Sequence, residues 1–243
     1  MFYTLSLAGL IAIIGFAGNK NVSRNVDDVV VRISDQNGDF FTDQLEIIDL
    51  LNAEGTDYVL GLSIDHLDLK QLESRVEAHP FVEDAQVYKD VKGQLVVNVT
   101  QSKPVARIFR RGKEDQYIDE HGNLLPTITK HTSRVLILQL EHEFSWKDNI
   151  TETDYGTNLL HLLNHINDDK FWKAQIAGIV VKRDGELNML PQVTKQEIVF
   201  GLPEDLEEKF KKLKVFYKQV LPNKGWNTYS MVNVKFKNQL VCE

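Results

Sequence analysis

At 243 residues, with 42% hydrophobic and 26% charged side chains, the chain can hold one large domain or two small ones and is too apolar to be disordered throughout. A net charge of −7 leaves no basic stripe able to displace phosphate counterions, which argues against nucleic acid as a partner. Cys242 is the only cysteine, so an internal disulfide and a cysteine-based metal site are both excluded and packing must supply the stability.

No residue from Phe2 to Gly18 is charged, and Lys20 is the first charge. As a helix those 17 positions would span about 25 Å, slightly short of a hydrocarbon core of about 30 Å. A transmembrane anchor over residues 1–19 is the expectation. A signal peptide cleaved after the small-x-small step Gly15-Phe16-Ala17 and a buried core helix are the alternatives. No Lys or Arg precedes the run, whereas Lys20 and Arg24 follow it, opposite to the usual charge bias for an exported C-terminal part. Either a basic segment upstream of Met1 is missing or the chain tolerates the bias.

Asn25 to Ile33 alternates, with Val29, Val31 and Ile33 on one face of a predicted strand. Asn37-Gly38 marks a turn, after which Phe40 and Phe41 are expected to resume extended structure. Asp43 and Glu46 have capping-box spacing and open a helix through Leu45, Ile48 and Leu51, stopped at Gly55. Asp68 and Gln71 repeat that spacing before a second helix with Leu69, Leu72 and Val76. Pro80 ends it, because the residue before a proline is pushed out of the helical region. Ala85 and Val87 then share one strand face, and after a turn at Lys92-Gly93 so do Leu95, Val97 and Val99. The order is β-α-α-β-β, a small sheet covered on one face by two helices.

Further along, strands are expected at Arg107 to Phe109, Gln116 to Asp119, Arg134 to Leu140, Ile176 to Arg183, Glu186 to Pro191 and Glu197 to Phe200. Tyr155 to Lys170 reads as a helix with Leu159, Leu162, Leu163 and Ile166 on one side. A long helix is predicted from Pro203, placed in its first turn, to about Leu221, with Leu206, Phe210, Leu213, Tyr217 and Val220 as its apolar stripe. Its lysines, among them Lys209 and Lys212, are read as a solvated face suited to the helix dipole. The final stretch, Thr228 to Glu243, reads as one strand with Val232, Val234 and Phe236 on one face and Met231, Asn233, Lys235 and Lys237 on the other. A last strand at a sheet edge leaves main-chain groups open to another protein's strand.

Residues that could carry chemistry do not assemble a recognisable set. His161 and His165 are four apart on the predicted helix, but position 162 is Leu and no third ligand is evident, so the two-histidine metal motif is incomplete. The chain has no nucleophile elbow, phosphate-cradling glycine loop or dinucleotide fingerprint. Asp27-Asp28 and Asp168-Asp169 suit turns or caps better than an acid–base pair.

Leu72-Glu73 followed by His79-Pro80-Phe81-Val82-Glu83-Asp84-Ala85-Gln86-Val87 resembles the hydrophobic-Glu, Pro-aromatic-Val, small-x-Val signature of POTRA (polypeptide-transport-associated) domains. The run Leu95-Val96-Val97-Asn98-Val99 into Lys103-Pro104-Val105-Ala106-Arg107 is similar to the exit step of the FtsQ/DivIB cell-division family. The Tyr117 to Pro126 pattern is similar to that family's hairpin at the same place. The resemblance implies an α+β protein: an anchor (1–19), a POTRA domain (24–102) and a β-rich domain with two or more helices (103–243). It also implies a non-enzymatic, single-pass protein of the cell inner membrane, mostly periplasmic, with no cofactor and no small-molecule substrate. Its partners would be divisome membrane proteins, an FtsB/FtsL-like pair docking on the C-terminal region. Lys235-Phe236 resembles the family's basic-aromatic pair there, and Met231, Val232, Val234, Lys235, Phe236 and Asn238 are the expected contacts. Phe236 reads equally well as a core residue. The alternatives are a POTRA-bearing factor for outer-membrane protein assembly, which would need tandem POTRA units or a barrel, and a periplasmic metal-dependent hydrolase using His161 and His165.

Overall fold

A computed structural model describes residues 25–34, 40–52, 58–63, 66–142, 144 and 146–243. The expected anchor at 1–19, the Asn37-Gly38 turn and the Gly55 stop lie outside the described residues, among which no helix is long and apolar enough to cross a membrane. The described chain forms two compact units, divided between Gln101 and Ser102, with Phe41 grouped in the second.

The first unit contains β1 (Val29–Ile33), α1 (Gln44–Leu51), α2 (Leu69–Glu77), β2 (Val82–Lys89) and β3 (Leu95–Gln101). β3 is central, parallel to β1 and antiparallel to β2. Each helix starts where its aspartate dictates: Asp43 accepts from Glu46 N–H at 3.0 Å and Asp68 from Gln71 N–H at 3.1 Å. At Asp43 the box is reciprocal, because Glu46 accepts the Asp43 N–H; at Asp68 only the aspartate half is seen. Ile47, Leu51, Leu72 and Val76 pack on Ala85, Val87, Leu95 and Val97. Leu45 does not join them and is 72% exposed, so of the Leu45–Ile48–Leu51 spacing only Ile48 and Leu51 face the core, with Ile47 beside them. Nor do Phe40 and Phe41 form a strand; the chain bends there into the α1 cap.

The second unit is a nine-stranded mixed sheet. Its strands are β4 (Pro104–Phe109), β5 (Gln116–Asp119), β6 (Leu124–Pro126), β7 (Leu136–Leu140), β8 (Ile176–Val181), β9 (Leu187–Pro191), β10 (Glu197–Gly201), β11 (Met231–Asn233) and β12 (Val241–Cys242). Their spatial order is β12-β11-β10-β9-β8-β7-β4-β5-β6. Parallel neighbours need long crossovers. Helices α3 (Asp154–Asp168) and α4 (Lys170–Gln175) make the one from β7 to β8. Helix α5 (Leu206–Val215), a π turn (Phe216–Val220) and α6 (Leu221–Lys224) make the one from β10 to β11. Leu159, Leu162, Leu163 and Ile166 of α3 are fully buried and join Phe210, Leu213 and Phe216 in one core with the sheet.

Two helix boundaries differ from expectation. The predicted Tyr155–Lys170 helix breaks at Asp169, whose extended backbone ends α3 and whose side chain caps α4 by accepting from Phe171 N–H at 2.7 Å. The long helix starts at Leu206 and not at Pro203: Asp205 sits in the left-handed region (φ 52°) and caps without a side-chain bond. Its widened π turn precedes Pro222, which has no N–H to give to the carbonyl one turn back. Lys209 also leaves the solvated face. It is buried, donates to the Leu202 carbonyl at 2.7 Å and lies 4.8 Å over the Phe200 ring, and burial holds its pKa below the ordinary lysine value.

Tyr217 lies in the same core, 5% exposed, with its hydroxyl unpaired among the described residues and its pKa pushed by burial from 10.0 up to about 12. Above pH 10 the unfolded phenol ionises while the folded one keeps its proton. Stability from this group is therefore present below pH 10 and lost as the pH rises toward 12. Tyr217→Phe removes an unsatisfied hydroxyl, and an increase of about 1 kcal/mol at pH 7 is expected, with a shallower decline between pH 10 and 12 than the parent shows. Urea unfolding of both proteins at several pH values checks this; parallel declines would exclude the phenol as the titrating group.

Candidate partner-binding edge

A nine-stranded open sheet has two edges, and here they differ. At β6 the outward Leu124 N–H is taken by the Asp148 carbonyl at 2.8 Å, Asn123 bridges to Asn149, and Pro126 has no N–H. That edge is closed by its own chain. The other edge is β12. Met231 and Glu243 exchange both main-chain bonds, at 3.1 and 3.0 Å, which makes Val232–Cys242 the non-bonded pair of the ladder. The N–H and C=O of Cys242 therefore point away from β11, out of the sheet. Leu240 and Cys242 pack inward against the core while Val241 is exposed, so the strand keeps a two-faced alternation up to its open side. Burial pushes the Cys242 thiol up, which keeps it protonated at neutral pH.

The single strand expected over Thr228 to Glu243 is thus corrected. The segment is a short strand, a turn and a two-residue return. Met231–Asn233 is paired on both flanks, parallel to β10 and antiparallel to β12. Strand pairing cannot continue through the turn because Asn238 adopts φ 56°, a left-handed conformation that asparagine tolerates better than most residues. Helix α5 holds the turn in place. Glu208 Oε1 accepts the Asn238 N–H at 2.8 Å, and Lys212 Nζ reaches the Phe236 carbonyl at 2.7 Å and Glu208 at 3.3 Å. The Asn238 N–H, and after it Lys212, hold the Glu208 carboxyl below its usual range.

The expected contact residues separate accordingly. Val232 and Val234 are fully buried, so their side chains belong to the core and are not available as contacts. Met231 is half-buried. Lys235 binds both carboxylate oxygens of Glu186, at 2.8 and 3.0 Å, and its Nζ lies 6.0 Å from the Phe236 ring centroid. Phe236 is 47% exposed, off the core face that its alternation with Val232 and Val234 suggested. Asn238 is exposed at the tip of the turn. Sequence reading missed Val241 and Cys242 as the outer strand and Glu186, Glu208 and Lys212 as supports. Asn238 between two apolar runs was the one local signal for the fold-back.

His161 and His165, the incomplete two-histidine motif, belong to no cluster of three potential metal ligands among the described residues. His161 is exposed, whereas His165 is half-buried with its ring 4.4 Å from that of Phe210.

A POTRA-type β-α-α-β-β unit followed by a strand-rich unit with crossover helices defines an α+β protein of the POTRA-plus-β-domain class. A sequence model of POTRA-like domains matches residues 24–100, and one described as FtsQ/DivIB, C-terminal related, matches residues 103–243. The chain is also similar to the cell division protein FtsQ of Rhodothermus marinus, 26% identical over 185 residues that cover 74% of this chain and 67% of that protein. The chain belongs to the FtsQ/DivIB family, as its exit step after the first domain suggested.

Proposed function

We propose that this chain is a non-enzymatic, membrane-anchored scaffold of bacterial cell division. The bulk of it lies in the periplasm, residues 1–19 anchor it in the inner membrane, and the POTRA domain (24–102) helps to localise it. The β-domain (103–243) recruits an FtsB/FtsL-like partner pair by adding a partner strand along β12. The observation that supports this reading best is the contrast between the sheet's edges: β6 is shielded by its own chain, while β12 presents the Cys242 main-chain groups outward. Phe236, exposed in the turn that joins β11 to β12, and the half-buried Met231 supply apolar contact, and Lys235 with Glu186 supplies a polar one.

Depletion in the native host tests the role: division failure with filamentous cells is expected, whereas loss of outer-membrane proteins without filamentation would reject it. For the surface, Phe236→Ala should weaken capture of the FtsB/FtsL-like pair by tagged full-length chain about tenfold, the usual effect of truncating an interface aromatic. Undiminished recovery would remove Phe236 from the interface.

A further inference from the structure

A second candidate surface is separated from β12 by four intervening strands of the sheet and lies beyond the C-terminal ends of the parallel pair β4 and β7. Here Phe109 to Arg111 and Leu140 to His142 leave the sheet together and, with Phe144 and Trp146, line a cavity of about 370 Å³. One wall is aromatic and well braced. The Phe144 ring stacks on Trp146 at 4.4 Å and on Tyr155 at 5.4 Å, both within 7° of parallel, and His142 leans on it at 4.3 Å. Tyr155 is tied down in turn, donating its hydroxyl to the Gly185 carbonyl at 2.9 Å.

The rim carries charge that the fold does not use. Asp115, four residues beyond Arg111, is already engaged by the Arg107 guanidinium at 2.7 Å and by the Arg110 N–H at 3.2 Å, and the nearer Glu114 forms no ion pair with either arginine. The Arg110 and Arg111 guanidiniums have no anionic partner among the described residues, and Glu141, which lines the same cavity, pairs with neither. Phe109, which lines the same cavity, is 50% exposed. In a chain of net charge −7, two unpaired guanidiniums beside an exposed phenylalanine and a stacked aromatic wall are a local inversion of the surface.

We infer that this cavity is a docking site for an acidic peptide segment that presents an aromatic or large apolar side chain next to carboxylates. The planar guanidinium fork matches a carboxylate bidentately, and the aromatic wall receives the neighbouring side chain edge-on or stacked. A membrane is the weaker fit: headgroup binding favours a broad basic face, and this rim is narrow and includes Glu141. The site is separate from the β12 edge, so the two can be filled together.

The test is fluorescence anisotropy with full-length protein in detergent and a labelled acetyl-Asp-Phe-Glu-Phe-Asp-amide peptide at low salt. Saturable binding is expected, weakened at least tenfold by R110Q combined with R111Q, and several-fold by Phe109→Ala. Raising the salt should weaken it too, as should replacing the peptide's acids by Asn and Gln. Thermal unfolding of each variant checks that the fold is retained, and an R110K/R111K pair, which keeps the charge but not the fork, should fall between parent and Gln variant. The inference is overturned if the peptide fails to bind, if the neutral peptide binds as tightly, or if the Gln variant binds as the parent does. It is equally overturned if only phosphatidylglycerol vesicles bind through these arginines.

Discussion

Cys242→Pro is expected to reduce capture of an FtsB/FtsL-like partner by tenfold to a hundredfold or so while leaving the chain folded. The ladder geometry explains why both halves of that outcome belong together. β12 is held to β11 through Glu243 and its neighbours on the inner side, and Cys242 contributes nothing to those bonds. Proline is tolerated on an edge strand where its missing N–H faces solvent. What it removes is the outward donor at the centre of the open edge, and its ring occupies the space an incoming strand would need. A partner carbonyl left unpaired at a buried interface costs about 1–3 kcal/mol, which corresponds to roughly the stated loss. Cys242→Ser keeps the N–H and should behave like the parent, which separates a main-chain effect from loss of the thiol. Pull-down or biolayer interferometry with the partner pair reads both variants. Equal affinity for the parent and the proline variant would exclude augmentation at β12, whatever the cellular role proves to be.

Gly156→Ala is expected to lower stability by about 3 kcal/mol or more, although alanine ordinarily improves a helix by about 1 kcal/mol over glycine. The residue occupies the first turn of α3, with its N–H bonded to Thr153 Oγ1 at 3.0 Å. A Cβ built there would lie 1.7 Å from the Ile150 carbonyl oxygen and 2.7 Å from its carbon. The obstruction is backbone and is itself fixed. Ile150 is fully buried, and its N–H donates to the Gly122 carbonyl at 2.9 Å. Gly122 has a positive φ of 88° and turns the chain where Asp119 accepts from the N–H groups of His121 and Asn123. Relief would require moving the start of α3, and with it the crossover between β7 and β8. Urea unfolding gives the answer directly. A variant as stable as the parent would mean that the 150–156 segment shifts easily despite the buried Ile150 and its bond to Gly122.

Much of this architecture could be read within windows of a few residues. Asp43 with Glu46 and Asp68 with Gln71 place two helix starts, because a capping bond closes over three residues and needs nothing distant. The leucine spacing in α3 selects its buried face, since a 3.6-residue period brings Leu159, Leu162, Leu163 and Ile166 to one side. The family was legible as well, in the Pro-Val-Ala-Arg step that leads out of β3. Elements whose geometry depends on remote partners were not. Lys209 looked like one of several surface lysines until the sheet brought the Phe200 ring and the Leu202 carbonyl to it.

The chain's own pattern therefore determined most of the helices and strands, where many of them begin, and which α+β family they compose. Only the folded molecule decided the fate of the last sixteen residues. Their alternation permits one long strand, but Glu208 and Lys212, thirty and twenty-four positions from their contacts at Asn238 and Phe236, hold a left-handed turn that folds the chain back. Periodicity reports the side a residue faces within its own element; which main-chain groups remain unpaired depends on what the rest of the sheet places alongside.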